Sequence, residues 1–282
     1  MEGRQSLTCE AILKRSATSS SIALIAGQGI LPVEIAKKLR DLQSHTLILA
    51  LRNDFEVLRP YASRLVYMSS PNLGRGLREM KSFGADSVIM AGRIPKQLIY
   101  CLPLLFDKLS RSVLRRCLHD DHSLLGAIVN AIESAGVKVI PYWQILPEFI
   151  AQKGKLSERV PTPKEQKDIA YGVEILRVTL PCSFGQAVSV ADGAVIAIEA
   201  MEGTDKMILR AGELVGRGVV VKMMREDQDM RYDLPTVGVR TLENMKKAGL
   251  TCLAVESGRT LILEPEEFFA LAEKYNIAVW GI

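Results

Sequence analysis

The sequence lacks paired cysteines, long hydrophobic runs and a strong excess of charge of either sign. Its 5 cysteines include no C-x-x-C pair, which argues against a zinc ribbon or a disulfide framework and favours a reducing cytosol. No uninterrupted apolar run approaches the roughly 18 residues that a membrane-spanning helix needs. A net charge of +4 on 282 residues is too small to indicate binding to nucleic acid. These absences predict a cytoplasmic protein that neither spans a membrane nor binds nucleic acid.

Length and composition predict two folded domains. The sequence is 48% hydrophobic and 24% charged over 282 residues, which is typical of globular proteins with about 150 residues per domain. The best boundary is a polar, proline-containing segment with few large apolar residues. The predicted organisation is a disordered extension over residues 1–21, an N-terminal domain over 22–153, a linker over 154–167 and a C-terminal catalytic domain over 168–282.

The N-terminal domain has the pattern of a Rossmann-like α/β fold. An apolar strand over residues 22–26 is followed by the turn Gly27-Gln28-Gly29 and by apolar residues at helical spacing, with Pro32 in the first helical turn. Later elements are predicted as strands over 46–51, 87–91 and 137–140 and helices over 74–83 and 122–135. Alternating strands and helices of this kind predict a parallel sheet.

The C-terminal domain is predicted to be a second α/β domain with a mixed sheet. Thr162-Pro163-Lys164-Glu165 has the form of a capping box, so a helix should begin there and run to about residue 178. Asp192-Gly193 and Ser257-Gly258 each separate two apolar runs and predict two β-hairpins. Helices are further predicted over residues 205–215, 242–248 and 266–275.

Two glycines between the first strand and the first helix suggest a phosphate-binding turn. Backbone N–H groups and a helix N-terminus bind phosphate at such a position, so Gly27, Gln28 and Gly29 are candidate substrate contacts. Pro32 stands where the dinucleotide fingerprint needs a third glycine, which disfavours NAD. The alternative is a tight strand-to-helix turn that needs glycine only for its shape.

Acidic residues occur at two further helix starts. His119-Asp120-Asp121-His122 precedes an amphipathic helix and could bind a ligand, or could cap that helix. The segment from Glu199 to Asp205 ends a strand and begins a helix, where ligands often bind in α/β folds. Within it Glu202 and Asp205 are candidate metal ligands and Thr204 is a candidate substrate contact, while the alternative is an ordinary capped helix.

The densest group of polar residues follows a strand that ends at Lys222. The segment from Asp227 to Gly238 contains carboxylates able to hold Mg²⁺ or orient water, and Lys222 and Arg231 could neutralise phosphate oxygens. Asp233 is followed directly by Leu-Pro-Thr, which indicates a fixed backbone. We therefore predict a phosphate-chemistry site in this loop, with an exposed polar turn as the alternative.

Several motifs in order resemble one family, the UDP-2,3-diacylglucosamine diphosphatases of the LpxI type. The resemblance runs from about residue 22 to the last residue. Its motifs are Ile25-Ala26-Gly27-x-Gly29-x-Leu31-Pro32, Ala91-Gly92, Asp120-Asp121-x-x-Leu124-Leu125, Glu199-Ala200-x-Glu202-Gly203-Thr204-Asp205-x-Met207 and Gln228-Asp229-x-Arg231-x-Asp233-Leu234-Pro235-Thr236-x-Gly238. It implies two domains and Mg²⁺-supported hydrolysis of UDP-2,3-diacylglucosamine to lipid X and UMP in lipid A biosynthesis.

The resemblance also assigns roles to individual residues. The catalytic aspartate of the family motif falls on Asp233, and the acidic pair of the N-terminal domain falls on Asp120 and Asp121. The chain departs from the family after Ala91-Gly92, where it reads Arg93-Ile94-Pro95-Lys96, and at Gly126, where arginine is common.

The reaction that these assignments imply uses water as the nucleophile. Asp233 would bind the metal or orient water, with Glu202 and Asp205 completing the metal site. Lys222 and Arg231 would stabilise charge on the phosphates, and Gln228 and Thr236 would contact the nucleotide-sugar lipid substrate.

Other functions and partners stay open at the level of sequence. A nucleotide-dependent oxidoreductase built on the Rossmann-like domain is one alternative, and a non-catalytic nucleotide-sugar or lipid-binding protein is another. Peripheral contact with the inner membrane surface and a homodimer are also compatible with the sequence.

Overall fold

The computed structural model describes residues 21–93, 121–226 and 228–282, and of residues 121–124 the backbone alone. The chain divides into two compact units, one ending at Leu146 and the other comprising Pro147–Ile282. Apart from Ser21, which begins the first strand, the predicted extension over residues 1–21 lies outside the described residues. None of the helices in the described ranges is long and apolar enough to cross a membrane.

A parallel sheet forms the centre of the N-terminal unit. Its strands are β1 (Ser21–Ala26), β2 (His45–Ala50), β3 (Arg64–Tyr67), β4 (Ser87–Ala91) and β5 (Lys138–Val139). They lie in the order β3-β2-β1-β4-β5, with all neighbours parallel. Strands β1, β2 and β4 are apolar and almost fully buried, as in parallel sheets covered by helices. This is the strand order of a Rossmann fold, which confirms the predicted fold class.

Three α-helices within the described residues of this unit cover the sheet. They are α1 (Leu31–Asp41), α2 (Leu73–Phe83) and α3 (Asp121–Ser134). Helix α1 packs on β1 and β2, α2 packs on β2, and α3 packs on β5. Asn72 caps the start of helix α2, because its side chain accepts a hydrogen bond from the Arg75 N–H, and Gly84 caps its end in the left-handed conformation. The polar cap and the permissive glycine are the local signals that fix both ends of this helix.

The carboxyl ends of β1 and β4 lie side by side in the middle of this sheet. Strands β2 and β3 lie on one side of β1, while β4 and β5 lie on the other, so the strand order reverses there. Open α/β sheets bind ligands at such a reversal. Because Gly27 follows β1 and Gly92 follows β4, the predicted phosphate-binding turn lies at this position.

The C-terminal unit contains a six-stranded mixed sheet and a separate two-stranded one. The strands are β6 (Gly154–Lys155), β7 (Ala187–Ala191), β8 (Ala194–Ile198), β9 (Val219–Lys222), β10 (Thr236–Val237), β11 (Cys252–Val255), β12 (Leu261–Ile262) and β13 (Ala278–Gly281). The larger sheet has the order β6-β13-β11-β9-β7-β8, in which β9, β11 and β13 are parallel and the pairs β6-β13, β9-β7 and β7-β8 are antiparallel. The predicted mixed sheet is confirmed.

Helices cover both faces of the larger sheet. They are α4 (Pro163–Thr179), α5 (Thr204–Leu214), α6 (Val239–Ala248) and α7 (Pro265–Tyr275). In β9, Val219 and Val221 belong to a buried cluster with α4, whereas Val220 belongs to a cluster with α5, α6 and α7. Successive side chains of a strand point to opposite faces. Helix α4 therefore lies on one face of the sheet and the other three helices lie on the opposite face.

The capping box that the sequence predicts begins helix α4. The Thr162 hydroxyl accepts a hydrogen bond from the Glu165 N–H at 3.2 Å, and the Glu165 carboxylate accepts one from the Thr162 N–H at 2.8 Å. These reciprocal bonds satisfy two backbone donors that an open helix end would leave unpaired. Helix α4 therefore begins within the segment 154–167, at Pro163, and extends beyond it to Thr179. Strand β6 lies in the same segment and pairs with β13.

Only one of the two predicted hairpins forms. Strands β7 and β8 pair antiparallel around Asp192 and Gly193, and both turn residues have positive φ, as a type I′ turn requires. The hairpin predicted at Ser257-Gly258 is wrong, because β12 pairs in parallel with β10. The N–H groups of Ser257 and Gly258 bond to the carbonyls of Ile282 and Ala151, so contacts distant in sequence determine this turn.

Candidate functional site

A buried lysine ends the central strand β9. Lys222 is 5% exposed, and its ammonium donates hydrogen bonds to the Thr204 hydroxyl at 3.1 Å and to the Thr236 carbonyl at 2.9 Å. A buried ammonium requires such partners because burial removes its hydrogen bonds to water. Three of the predicted site residues, Lys222, Thr204 and Thr236, are therefore brought together at the carboxyl end of β9.

The carboxylate that joins this group is Glu199. It follows β8, is 8% exposed, and accepts hydrogen bonds from the Thr204 hydroxyl at 3.0 Å and from the Gln186 N–H at 3.3 Å. The sequence singled out Glu202 and Asp205 in this motif instead. The signal that favours Glu199 is its place at the very end of the strand, where ligand sites of α/β sheets lie.

Glu202 and Asp205 are bound to arginines. Glu202 pairs with Arg210 at 2.6 Å, and that hydrogen bond holds the pKa of the Glu202 carboxyl below its usual range. Asp205 pairs with Arg240 at 3.0 Å. Within the described ranges, no group of three or more His, Cys, Asp or Glu side chains is arranged to hold a metal ion. The structure therefore does not bring Glu202, Asp205 and Asp233 together as a ligand set.

The loop after β9 holds Asp233 through a glutamine. The Gln228 amide donates to the Asp233 carboxylate at 2.9 Å, and the Gln228 carbonyl oxygen accepts from the Arg225 N–H at 2.9 Å. The Asp233 N–H bonds to the Asp229 carbonyl at 3.0 Å. Both ends of the Gln228 amide thus have protein partners, and the Asp233 carboxylate has a fixed direction.

Arg231 is paired with a carboxylate of its own loop. Its guanidinium donates to the Asp229 carboxylate at 3.0 Å and 2.7 Å, and its N–H donates to the same carboxylate at 2.9 Å. Planar two-point pairing of this type fixes the orientation of an arginine. About a third of the Arg231 side chain stays exposed, so a phosphate oxygen can still approach it.

In the N-terminal unit, the turn after β1 is bonded to the last residue of β4 and to the segment that follows it. The Gly27 N–H donates to the Ala91 carbonyl at 2.8 Å, and Gln28 and Arg93 exchange two backbone hydrogen bonds at 2.8 and 2.9 Å. A Cβ atom on Gly27 would lie 2.7 Å from the Arg93 carbonyl oxygen. Glycine at this position therefore permits the close approach of two backbones, and the N–H groups of Gly27 and Gln28 already have partners.

A buried arginine holds the third residue of this turn. Arg52 follows β2, and its guanidinium donates to the Gly29 carbonyl at 2.8 Å and to the Asp54 carboxylate at 2.7 Å. The hydrogen bond from Arg52 holds the pKa of the Asp54 carboxyl below its usual range. Gly29 has a φ of 101°, which favours glycine. The sequence reasoning missed Arg52, since an arginine after a strand carries no motif signal.

The predicted acidic pair of the N-terminal domain, Asp120 and Asp121, spans the start of a described range. Asp120 lies outside the described residues, and only the backbone of Asp121, the first residue of α3, is described. A substrate-binding role for both residues stays a prediction.

Comparisons with known proteins agree with the motifs. The family model of the LpxI N-terminal domain matches residues 21–149, and that of the LpxI C-terminal domain matches residues 152–280. The UDP-2,3-diacylglucosamine pyrophosphatase LpxI of Caulobacter vibrioides is 29% identical over 275 residues, which covers 93% of this chain and 97% of that protein.

A solved structure shows only a weak likeness. The biotin carboxylase domain of Hydrogenobacter thermophilus 2-oxoglutarate carboxylase aligns at 13% identity and a TM-score of 0.26, covering 68% of this chain and 39% of that one, which carries no argument about the fold. The two family models, in contrast, account for nearly the whole sequence in the expected order. The chain belongs to the LpxI family.

Proposed function

We propose that this protein is a hydrolase that cleaves the pyrophosphate of UDP-2,3-diacylglucosamine, releasing UMP and 2,3-diacylglucosamine 1-phosphate (lipid X) for lipid A biosynthesis. The related protein that aligns over 93% of this chain is named a pyrophosphatase for that compound. The structural observation that supports the proposal best is the buried Lys222 ammonium at the end of β9, followed in the chain by the loop that fixes Asp233.

Hydrolysis of a phosphoric anhydride builds negative charge on the phosphate oxygens and the leaving oxygen. Fixed positive charge that needs no reorganisation lowers this barrier most effectively. Lys222 is suited to this role because Thr204 and the Thr236 carbonyl hold its ammonium in place. Arg231 would supply a second positive charge, oriented by Asp229.

Asp233 is the proposed catalytic carboxylate. Its side chain would orient the attacking water or bind the metal ion, and the hydrogen bond from Gln228 sets its direction. In this proposal Gln228 contributes mainly by orienting Asp233. Thr204 and Thr236 contact the substrate beside Lys222.

The described residues fit a magnesium ion that the substrate itself helps to hold. Mg²⁺ in phosphoryl-transfer sites is usually bound by one or two carboxylates together with substrate phosphates and water. Asp233 is the proposed protein ligand, and a bound Mg²⁺ would neutralise charge on the pyrophosphate. Glu202 and Asp205 are paired with Arg210 and Arg240, so we do not include them in this proposed metal site.

The turn at the strand-order reversal of the N-terminal unit is the proposed contact for a phosphate or the uridine portion. Because the N–H groups of Gly27 and Gln28 already donate to the carbonyls of Ala91 and Arg93, this contact would use Gly29 and the N-terminus of α1. Asp120 and Asp121 are proposed substrate contacts from family resemblance alone.

An acylated substrate also implies contact with the inner membrane surface from the cytoplasmic side. Co-sedimentation with anionic lipid vesicles tests this proposal, and recovery of all the protein in the supernatant would refute it.

A homodimer is a separate proposal. Sedimentation velocity tests it, and a monomer at all protein concentrations would refute it.

The decisive experiment measures UMP release from UDP-2,3-diacylglucosamine with Mg²⁺, with EDTA, and with the Asp233→Ala variant. We expect metal-dependent release in the wild type and a loss of at least about 100-fold in the variant, since removal of a general acid–base group typically costs 10²–10⁴. Glu213→Gln, on the exposed side of α5, is the matched control and should retain wild-type activity.

Each other outcome refutes part of the proposal. No UMP under any condition would refute the diphosphatase function, and substrate binding without turnover would indicate a binding protein. Release that EDTA does not affect would refute the role of Mg²⁺. A nicotinamide absorbance in the purified protein would favour the oxidoreductase alternative.

A further inference from the structure

We propose that Glu199 is a positioning residue that fixes the Lys222 ammonium through the hydroxyl of Thr204. This inference rests on the proposed function, in which Lys222 stabilises charge on the substrate. The three side chains form one continuous chain of hydrogen bonds, from Lys222 to Thr204 at 3.1 Å and from Thr204 to Glu199 at 3.0 Å.

The direction of each hydrogen bond follows from the chemistry of the groups. An ammonium is only a donor and an ionised carboxylate only an acceptor, whereas a hydroxyl has one proton and two lone pairs. The Thr204 proton therefore points to Glu199, which leaves a lone pair directed at Lys222. Without the carboxylate, the Thr204 hydroxyl proton would lose the acceptor that holds it in this direction.

Burial makes the carboxylate necessary. Glu199 and Lys222 are 8% and 5% exposed, and buried charges are stable when they are paired and fully hydrogen-bonded. Both ends of the chain are also tied to the backbone, since Glu199 accepts from the Gln186 N–H and Lys222 donates to the Thr236 carbonyl. The Thr204 hydroxyl is thus the adjustable link between two fixed ends.

The backbone around Glu199 is equally constrained. A Cβ atom on Gly185 would lie 2.0 Å from the Glu199 carbonyl oxygen, so the segment before β7 packs directly against the strand end that carries the carboxylate. The neighbouring Glu202, in contrast, is an ion-pair partner of the half-exposed Arg210. These differences single out Glu199 as the acidic residue of this motif that acts on Lys222.

A double-mutant cycle on UMP release tests whether Glu199 acts on Lys222 through Thr204. Glu199→Gln and Thr204→Val should each lower kcat by about 10- to 100-fold, which corresponds to loss of a hydrogen bond to a charged group. If Glu199 acts through Thr204, adding Glu199→Gln to Thr204→Val should lower kcat by less than about threefold more. Thr204→Ser should recover most of the rate lost in Thr204→Val, because it restores the hydroxyl.

Multiplicative losses in the cycle would overturn the proposal, because Glu199 would then act independently of Thr204. If Glu199→Gln does not fold, equal rates for Thr204→Val and Thr204→Ser would overturn it. Glu213→Gln again serves as the control on α5. A wild-type protein without UMP release would refute the proposed function instead. Denaturant unfolding of the wild type, the Glu199→Gln and Thr204→Val variants and the double variant would then test the connection between Glu199 and Thr204. We expect non-additive changes in the unfolding midpoint, and additive changes would overturn the proposal.

Discussion

Substitution of Gly27 by alanine should destabilise the N-terminal unit through backbone contact alone. The added Cβ atom would lie 2.7 Å from the Arg93 carbonyl oxygen and 2.8 Å from the Gly92 carbonyl carbon. Neither atom belongs to a flexible side chain, and the hydrogen bonds between Gln28 and Arg93 hold the two segments together. The segments after β1 and β4 must therefore separate by several tenths of an ångström, which weakens those bonds.

The magnitude follows from measured costs of overpacking. Inserting a methyl group into a well-packed site costs about 1–3 kcal/mol. At about 4 °C per kcal/mol for a domain of this size, the midpoint of thermal unfolding should fall by about 4–12 °C. Differential scanning calorimetry of the full chain measures this shift as a change in the transition of the N-terminal unit.

Gly76 offers a matched control in the same unit. It lies inside helix α2, where an added Cβ atom would meet only the Leu49 side chain at 3.7 Å. Gly76→Ala should therefore stabilise the protein by about 0.5–1 kcal/mol, the helix preference of alanine over glycine. Equal or higher stability of Gly27→Ala relative to the wild type would refute the reasoning, as would destabilisation by Gly76→Ala.

Three further predictions concern the C-terminal unit. Thr162→Ala should lower its unfolding free energy by about 0.5–2 kcal/mol because the capping box is lost, whereas Thr162→Ser should stay near wild type in urea unfolding. Burial alone would raise the pKa of the Glu165 carboxyl, but hydrogen bonds, chiefly from Arg159, lower it below its usual value of 4.5. Its ionisation therefore stabilises the fold above about pH 4.5, and this stabilisation is lost as the pH falls. In Glu165→Gln the unfolding free energy should therefore fall less steeply as the pH is lowered below about 4.5. The same dependence of unfolding free energy on pH as in the wild type would contradict this prediction. Burial raises the pKa of the Cys252 thiol, so a thiol reagent should label the exposed Cys182 in the native protein and Cys252 only after unfolding, as peptide mass spectrometry would show.

Several elements could be predicted from sequence because their causes are local. The capping box at Thr162 and the positive-φ turn at Asp192-Gly193 depend on residues within a few positions of each other. The apolar strands β1, β2 and β4 were also recognisable, since parallel strands buried on both faces consist of continuous apolar runs. Their limits agree with the predicted ones within one or two residues.

Strand partners could not be predicted in the same way. The turn dipeptide Ser257-Gly258 suggested a hairpin, but its N–H groups bond to Ile282 and Ala151, which are distant in sequence. Strand β13 at the end of the chain was not predicted, although it pairs with both β11 and β6. Pairing depends on which edges are available in the folded sheet, and a single strand sequence carries little information about them.

The sequence by itself determined the fold class, the local turns and caps, and the family, because each depends on short motifs and their order. Residue type also made Lys222 a candidate site residue, and the family motif made Asp233 the candidate catalytic aspartate. The tertiary structure decided which carboxylate is connected to Lys222: Glu199 bonds to the Thr204 hydroxyl that Lys222 also contacts, whereas Glu202 is paired with Arg210. That choice depends on burial and on a contact between residues 18 positions apart, and such contacts exist only once the strands have assembled.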